Sequence, residues 1–139
     1  MKIYDGKDLL LGRLASRVAK DALLGEEVKV VNCEKIMVSG KKVVVFTEEK
    51  VRRARKGYPL KSAKRTRLAD RYVRRSIRGM LPWKQTRGKD AFKRIMCYTG
   101  IPDILADKEL ITLQDSSIKK LPTRNRVTVG EICKHVGGK

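Results

Sequence analysis

The sequence predicts an α/β domain built around a parallel sheet, and three observations carry that prediction. Residues Lys2 to Asp5 alternate like a short strand, and Val28 to Asn32 form a second, β-branched run. Between them Leu11, Leu14, Ala15, Val18 and Ala22 recur at helical spacing, giving an apolar face to a helix from about Leu11 to Leu24. Strand, helix and strand in that order call for parallel pairing through a right-handed crossover. Finally, 41% of the 139 residues are hydrophobic, enough to bury a core, so a single domain over 1–139 is expected.

The remaining elements follow in order. Gly6 to Asp8 supply a turn after the first strand, and Gly25 stops the first helix. Ser39 reads as the N-cap of a second helix, although Val43, Val44 and Val45 in succession would suit a strand equally well; helix is the reading adopted. From Arg52 to Arg67 the chain is basic, contains Gly57 and Pro59, and has little periodicity, so a loop that orders on meeting its partner is expected. A helix then runs from about Leu68 to Met80, with Gly79 tolerating a left-handed cap and Pro82 barring extension. After the turn LPWKQTRG, the spacing of Ala91, Phe92, Ile95 and Tyr98 predicts a helix from about Lys89 to Tyr98. Residues 103–126 carry no clear pattern. Val127 to Val129 suits a last strand, and Thr128 with Glu131 has the capping-box spacing of a final helix that Gly137 closes.

Charge sets the functional argument. The chain has a formal net charge of +19 and a pI near 10.3. Residues 51–94 hold seventeen Lys or Arg against two acids, Asp70 and Asp90, while the segments on either side are nearly neutral. Within that stretch Arg71, Arg74, Arg75 and Arg78 fall at offsets of zero, three, four and seven, on one side of a helix whose other side holds Val73, Ile77 and Met80. A basic stripe is ordinarily a solvated face. Here no acid lies between the four arginines, and like charges four apart repel by a few tenths of a kcal/mol each. Such a concentration needs a polyanion, and the pI makes nucleic acid the leading partner. An anionic membrane surface shares the sign, but no apolar run approaches eighteen residues. MKIYDGKDLLLGR lacks the features of a secretory signal, and a cytosolic protein is expected.

The candidate nucleic-acid-contacting residues start with Arg71, Arg74, Arg75 and Arg78. Lys84, Arg87, Lys89, Lys93 and Arg94 extend the surface beyond the turn, and Arg52, Arg53, Arg55 and Lys56 precede it. Lys41 and Lys42, near a helix start, form a second tier. Trp83 and Tyr58 are either base-stacking platforms or packing anchors.

Catalytic and metal chemistry find little support. Cys33, Cys97 and Cys133 lie far apart without a C-x-x-C pair and are expected to be reduced and packed. His135 stands alone and reads as a surface or helix-end residue. VSGKKV shares only Gly40-Lys41 with a P-loop: Lys35 stands in place of the first glycine, and Lys42 where Ser or Thr is needed. No G-x-G-x-x-G or G-x-S-x-G occurs. Two rivals remain: a chromatin-type DNA binder sharing the charge, and an RNA-modifying enzyme sharing the α/β pattern.

Four segments, in order, resemble the large ribosomal subunit protein thirteen family in its archaeal or eukaryotic form. They are LGRLAS (Leu11 to Ser16), VVNCEKIMVSGKK (Val30 to Lys42), VRRSIRGMLPWK (Val73 to Lys84) and RGKDAFKRIMCYTGIP (Arg87 to Pro102). IRGMLP, Ile77 to Pro82, is the most specific piece. The resemblance implies a three-layer α/β/α fold with a four-stranded, mostly parallel sheet and a basic helical extension. It also implies a structural role on large-subunit ribosomal RNA beside neighbouring ribosomal proteins, with no catalysis, cofactor, small-molecule substrate or membrane partner. Departures lie in residues 51–70 and at Trp83, where the family more often carries a basic residue or histidine.

Overall fold

A computed structural model describes residues 1–57, 61–62 and 66–138, with side chains described at all of these except 56, 57, 61 and 62. Tyr58 and Pro59 lie outside the described residues. In chain order the elements are β1 (Lys2–Asp5), α1 (Leu11–Leu23), β2 (Val28–Val31), β3 (Met37–Ser39), α2 (Lys42–Ala54), β4 (Lys56–Gly57), β5 (Lys61–Ser62) and α3 (Ala69–Gly79). They continue with α4 (Thr86–Lys93), β6 (Ile95–Cys97), α5 (Asp103–Ala106), β7 (Arg126–Thr128) and α6 (Val129–His135).

The opening unit forms as its residues dictate. β1 and β2 pair in parallel from Lys2↔Val28 to Asp5↔Val31, with α1 between them in the chain. Gly25, at φ +99, ends α1 in a conformation that a side chain would strain. β6 joins the far edge of β2 in parallel, giving the order β1-β2-β6. Four strands were expected; the fourth place is held by one residue, Ile111, which exchanges backbone hydrogen bonds with β1 through Ile3 and Asp5.

Alternation along the strands divides the core. Tyr4, Val28, Val30, Ile95 and Cys97 face the main cluster with α1, α3 and α4. Ile3 and Val31 face a smaller one closed by Leu105 of α5, with Tyr98 and Leu110 against it. The sheet thus has a thick helical layer on one side and a thin cover on the other. Asp21 of α1, 2% exposed, accepts hydrogen bonds from the Tyr4 phenol and from Lys2 at 3.3 Å. Burial pushes its carboxyl up, but these donors and Arg17 outweigh burial and hold it below the usual range. The bond ties helix to strand.

Several local expectations are corrected. The helix expected over Lys89 to Tyr98 begins at Thr86 and stops at Lys93, and Ile95 to Cys97 is a strand. Ala91, Phe92 and Ile95 mimic helical spacing, yet β2 offers a ladder: Val28 N–H donates to Arg94 and Tyr98 N–H to Val30. Ser39 is not a cap, because Met37 to Ser39 pairs antiparallel with β7 and Lys41 takes the N-cap position. Arg52 and Arg53 belong to the last turn of α2 rather than to a loop, and a two-residue hairpin, β4 with β5, follows. Gly79 takes no left-handed conformation; α3 closes through Met80 at φ −96, and Met80 is 43% exposed rather than docked. The valine run is helical, residues 103–126 are largely irregular, and the Thr128–Glu131 capping box forms at α6, all as expected.

Candidate nucleic-acid interface

α3 sorts its two residue classes as the winding predicts. Ala69, Val73 and Ile77 are buried, in the cluster shared with α1 and β6. On the other side Arg71 and Arg78 are exposed, while Arg74 and Arg75 are half-buried. The Arg74 guanidinium lies 4.5 Å from the Phe92 ring centroid and that of Arg78 lies 5.1 Å from Trp83. Trp83 and Phe92 themselves meet edge to face at 5.0 Å. Each cation–π contact is worth ~0.5 to 1 kcal/mol at an exposed site and holds the guanidinium plane without neutralising it. Among the described residues, no ion pair engages Arg71, Arg74 or Arg78. Arg75 lines a cavity of about 190 Å³ with Glu49, Arg52 and Tyr72.

The turn after α3 is fixed by one glycine. A Cβ on Gly88 would sit 2.1 Å from the Pro82 carbonyl oxygen, so only glycine lets the first turn of α4 close on that backbone. This close approach, with Leu81 buried beside it, holds Lys84, Arg87 and Lys89 exposed next to the end of α3. Trp83 is 39% exposed, with part of its ring covered by Arg78.

Several other candidates have hydrogen-bonding or ion-pair partners within the molecule. Lys93 pairs with Asp90 at 3.4 Å, and Arg94 donates to the Ala22 carbonyl at the end of α1 at 3.4 Å. Lys42 bonds Glu131 at 3.0 Å, and this bond, with that from the Thr128 backbone, keeps the Glu131 carboxyl below its ordinary range. Arg52 bridges Glu48 and Glu49, each at 3.2 Å. Arg53 donates to the Thr66 carbonyl. Lys41 and Arg55 are exposed, and the Lys56 side chain lies outside those described.

Arg13, Arg17 and Lys20 lie in a segment that is nearly neutral overall and are not among the residues nominated from the sequence. In the fold α1 packs beside α3 and α4, and all three bases are exposed along it. Arg13 donates to the Asp115 carbonyl at 3.2 Å and Arg17 pairs with Asp21 at 3.7 Å. Lys20 borders a groove with Arg87.

The three cysteines are free and buried, as expected, and burial pushes the Cys133 thiol up to about 11. His135 ends α6, exposed and stacked on Phe46 with centroids 4.1 Å apart. Among the described residues no three His, Cys, Asp or Glu side chains gather to hold a metal, and no helix is long and apolar enough to cross a membrane.

These features define a class: a basic α/β protein whose excess charge collects on helices and a turn outside a small parallel sheet. The chain belongs to the ribosomal protein L13 family, whose model matches residues 1–103. This is a family of ribosomal proteins, not of enzymes. Among curated relatives, the large ribosomal subunit protein uL13 of Methanococcoides burtonii is 40% identical over 139 residues, covering 100% of this chain and 99% of that protein. The uL13 of Methanocaldococcus jannaschii is 37% identical over 142 residues with the same coverage. That of Archaeoglobus fulgidus is 36% identical over 136 residues, covering 97% of this chain and 86% of the relative.

Proposed function

We propose that the chain is a structural component of the large ribosomal subunit in the cytoplasm, packed beside other subunit proteins, and that it binds and compacts ribosomal RNA. The contact surface runs from the outer side of α3, through the turn holding Trp83 and Lys84, to Arg87 and Lys89 on α4. The single observation that carries this reading is that Arg71 and Arg78 stand exposed with no ion pair among the described residues. Their neighbours across the turn are exposed bases as well. Arginine suits the task because its planar fork gives two parallel hydrogen bonds to one phosphate. Recognition is of backbone and shape, since the deep, narrow major groove of RNA hides its base edges. Gathering phosphates from separate strands onto one cationic surface relieves their repulsion and lets those strands pack.

Salt dependence tests this. With roughly six phosphates neutralised, log affinity falls against log salt with a slope of about −4, at ~0.7 per contact on single-stranded RNA. A flat dependence, or equal affinity for duplex DNA at the same salt, would sink the proposal.

A further inference from the structure

The second half of α1 and the turn after α3 enclose a groove of about 510 Å³, lined by Ser16, Ala19, Lys20, Leu23, Leu24, Met80 and Arg87. Its volume is that of an ordinary small-molecule site, ~300 to 1,000 Å³. The floor is apolar, and two of its members are conspicuous by exposure: Leu24 at 72% and Met80 at 43%. Two cations join the lining, Lys20 from α1 and Arg87 from α4, and no acid lines the groove. Ser16 donates to the Gly12 carbonyl at 3.0 Å and lies 3.4 Å from the Met80 sulfur, leaving its oxygen able to accept at the groove wall.

We infer that this groove takes the base of one unpaired nucleotide, with its flanking phosphates on Lys20 and Arg87. The inference rests on the RNA-binding reading above and deepens it from backbone contact to a site for a single base. The occupant follows from the two halves of the lining. A phosphate alone leaves the floor of Leu23, Leu24 and Met80 unused. An apolar protein segment would cover the floor but leave both cations without a counter-charge. A nucleotide supplies a flat, weakly polar face for the thioether and leucines together with the negative charge for the two cations.

The test uses the full chain with ¹³C-methyl methionine and leucine, titrated with hexa-adenylate RNA and with a fully abasic ribose-phosphate hexamer of equal charge. The base-bearing hexamer is expected to bind about tenfold tighter, with the Met80 methyl shifted by ring current. Ser16→Phe, which fills the groove from an exposed position, brings the two hexamers to equal affinity; Leu24→Ser, at the most exposed floor residue, reduces the advantage. Equal affinity in the parent protein overturns the inference while leaving RNA binding intact, and binding of neither hexamer sinks both. An advantage that survives Ser16→Phe overturns it too, because the base would then stack elsewhere, with Trp83 the first alternative. In assembled subunits, a photo-cross-linking residue at Leu24 that joins RNA supports the inference, and one that joins a protein neighbour overturns it.

Discussion

α2 and α3 are both basic at their C-terminal ends, yet they treat those charges in opposite ways. α2 buries a single residue, Glu49, and exposes Val43, Val44 and Val51. Its Lys42 and Arg52 are each held by carboxylates of the same molecule. α3 buries Ala69, Val73 and Ile77, and its Arg74 and Arg78 lean on aromatic rings rather than on acids. Counting bases therefore does not locate an interface. What matters is whether the fold has already supplied the counter-charge, because a cation paired internally must break that pair before it can meet a phosphate.

The packing side of the comparison gives the largest expected effect. Ile77 is fully buried among α1, α3 and the sheet, so Ile77→Ala should cost about 2 to 5 kcal/mol, read as a lowered midpoint in urea. Val44→Ala on α2, at a position 50% exposed, should stay within about 0.5 kcal/mol. Equal losses at both sites would mean that α2 docks as firmly as α3, and the contrast would fail.

The charge side comes next. Arg71→Ala with Arg78→Ala should weaken RNA binding by on the order of tenfold and move the salt slope from about −4 toward about −3, since two contacts at ~0.7 each are lost. Lys42→Ala with Arg52→Ala removes the same formal charge but frees Glu131, Glu48 and Glu49. A slope unchanged by the α2 pair and reduced by the α3 pair is the expected result. The reverse order would place the RNA on α2.

α3 was legible in the sequence because both of its residue classes obey one 3.6-residue period, so a burial face and a charged face could be read together. The first strand, helix and strand were legible for a similar reason: each element is long enough to show its own period. β6 was not, because Ile95, Met96 and Cys97 span too few residues to distinguish period two from the tail of a helix. The pairing of β3 with β7 joins residues about ninety positions apart in the chain, and no local pattern announces it. The intramolecular partners of candidate residues were hidden for the same reason: Arg94 and Lys42 donate to Ala22 and Glu131, 72 and 89 positions away. Conversely, Lys20 lies in a segment whose net charge is nearly neutral and was not nominated, although in the fold it lines a groove with Arg87. A sequence states how many charges there are, while tertiary structure decides which are already satisfied.

A polar link between the two helices supplies a finer test. The Tyr72 phenol of α3 donates to a Glu49 carboxylate oxygen at 3.3 Å, beside Arg52. Burial first, and then the charge of Glu49, push the phenol from 10.0 up to about 12. The folded protein therefore keeps a proton that the unfolded chain releases between these values. That contribution is fully present below pH 10 and is lost as pH rises through about 12. Tyr72→Phe should cost about 1 kcal/mol at neutral pH, the net worth of one hydrogen bond, and should flatten the decline in stability across that alkaline window. Urea midpoints measured on either side of pH 10, with tyrosinate absorbance followed in parallel, read both effects. If the decline persists unchanged in the Phe variant, the Tyr72–Glu49 bond does not set the alkaline limit, and the contacts of α2 with α6 and β7, Phe46 against His135 and Lys42 on Glu131, become the next ones to break.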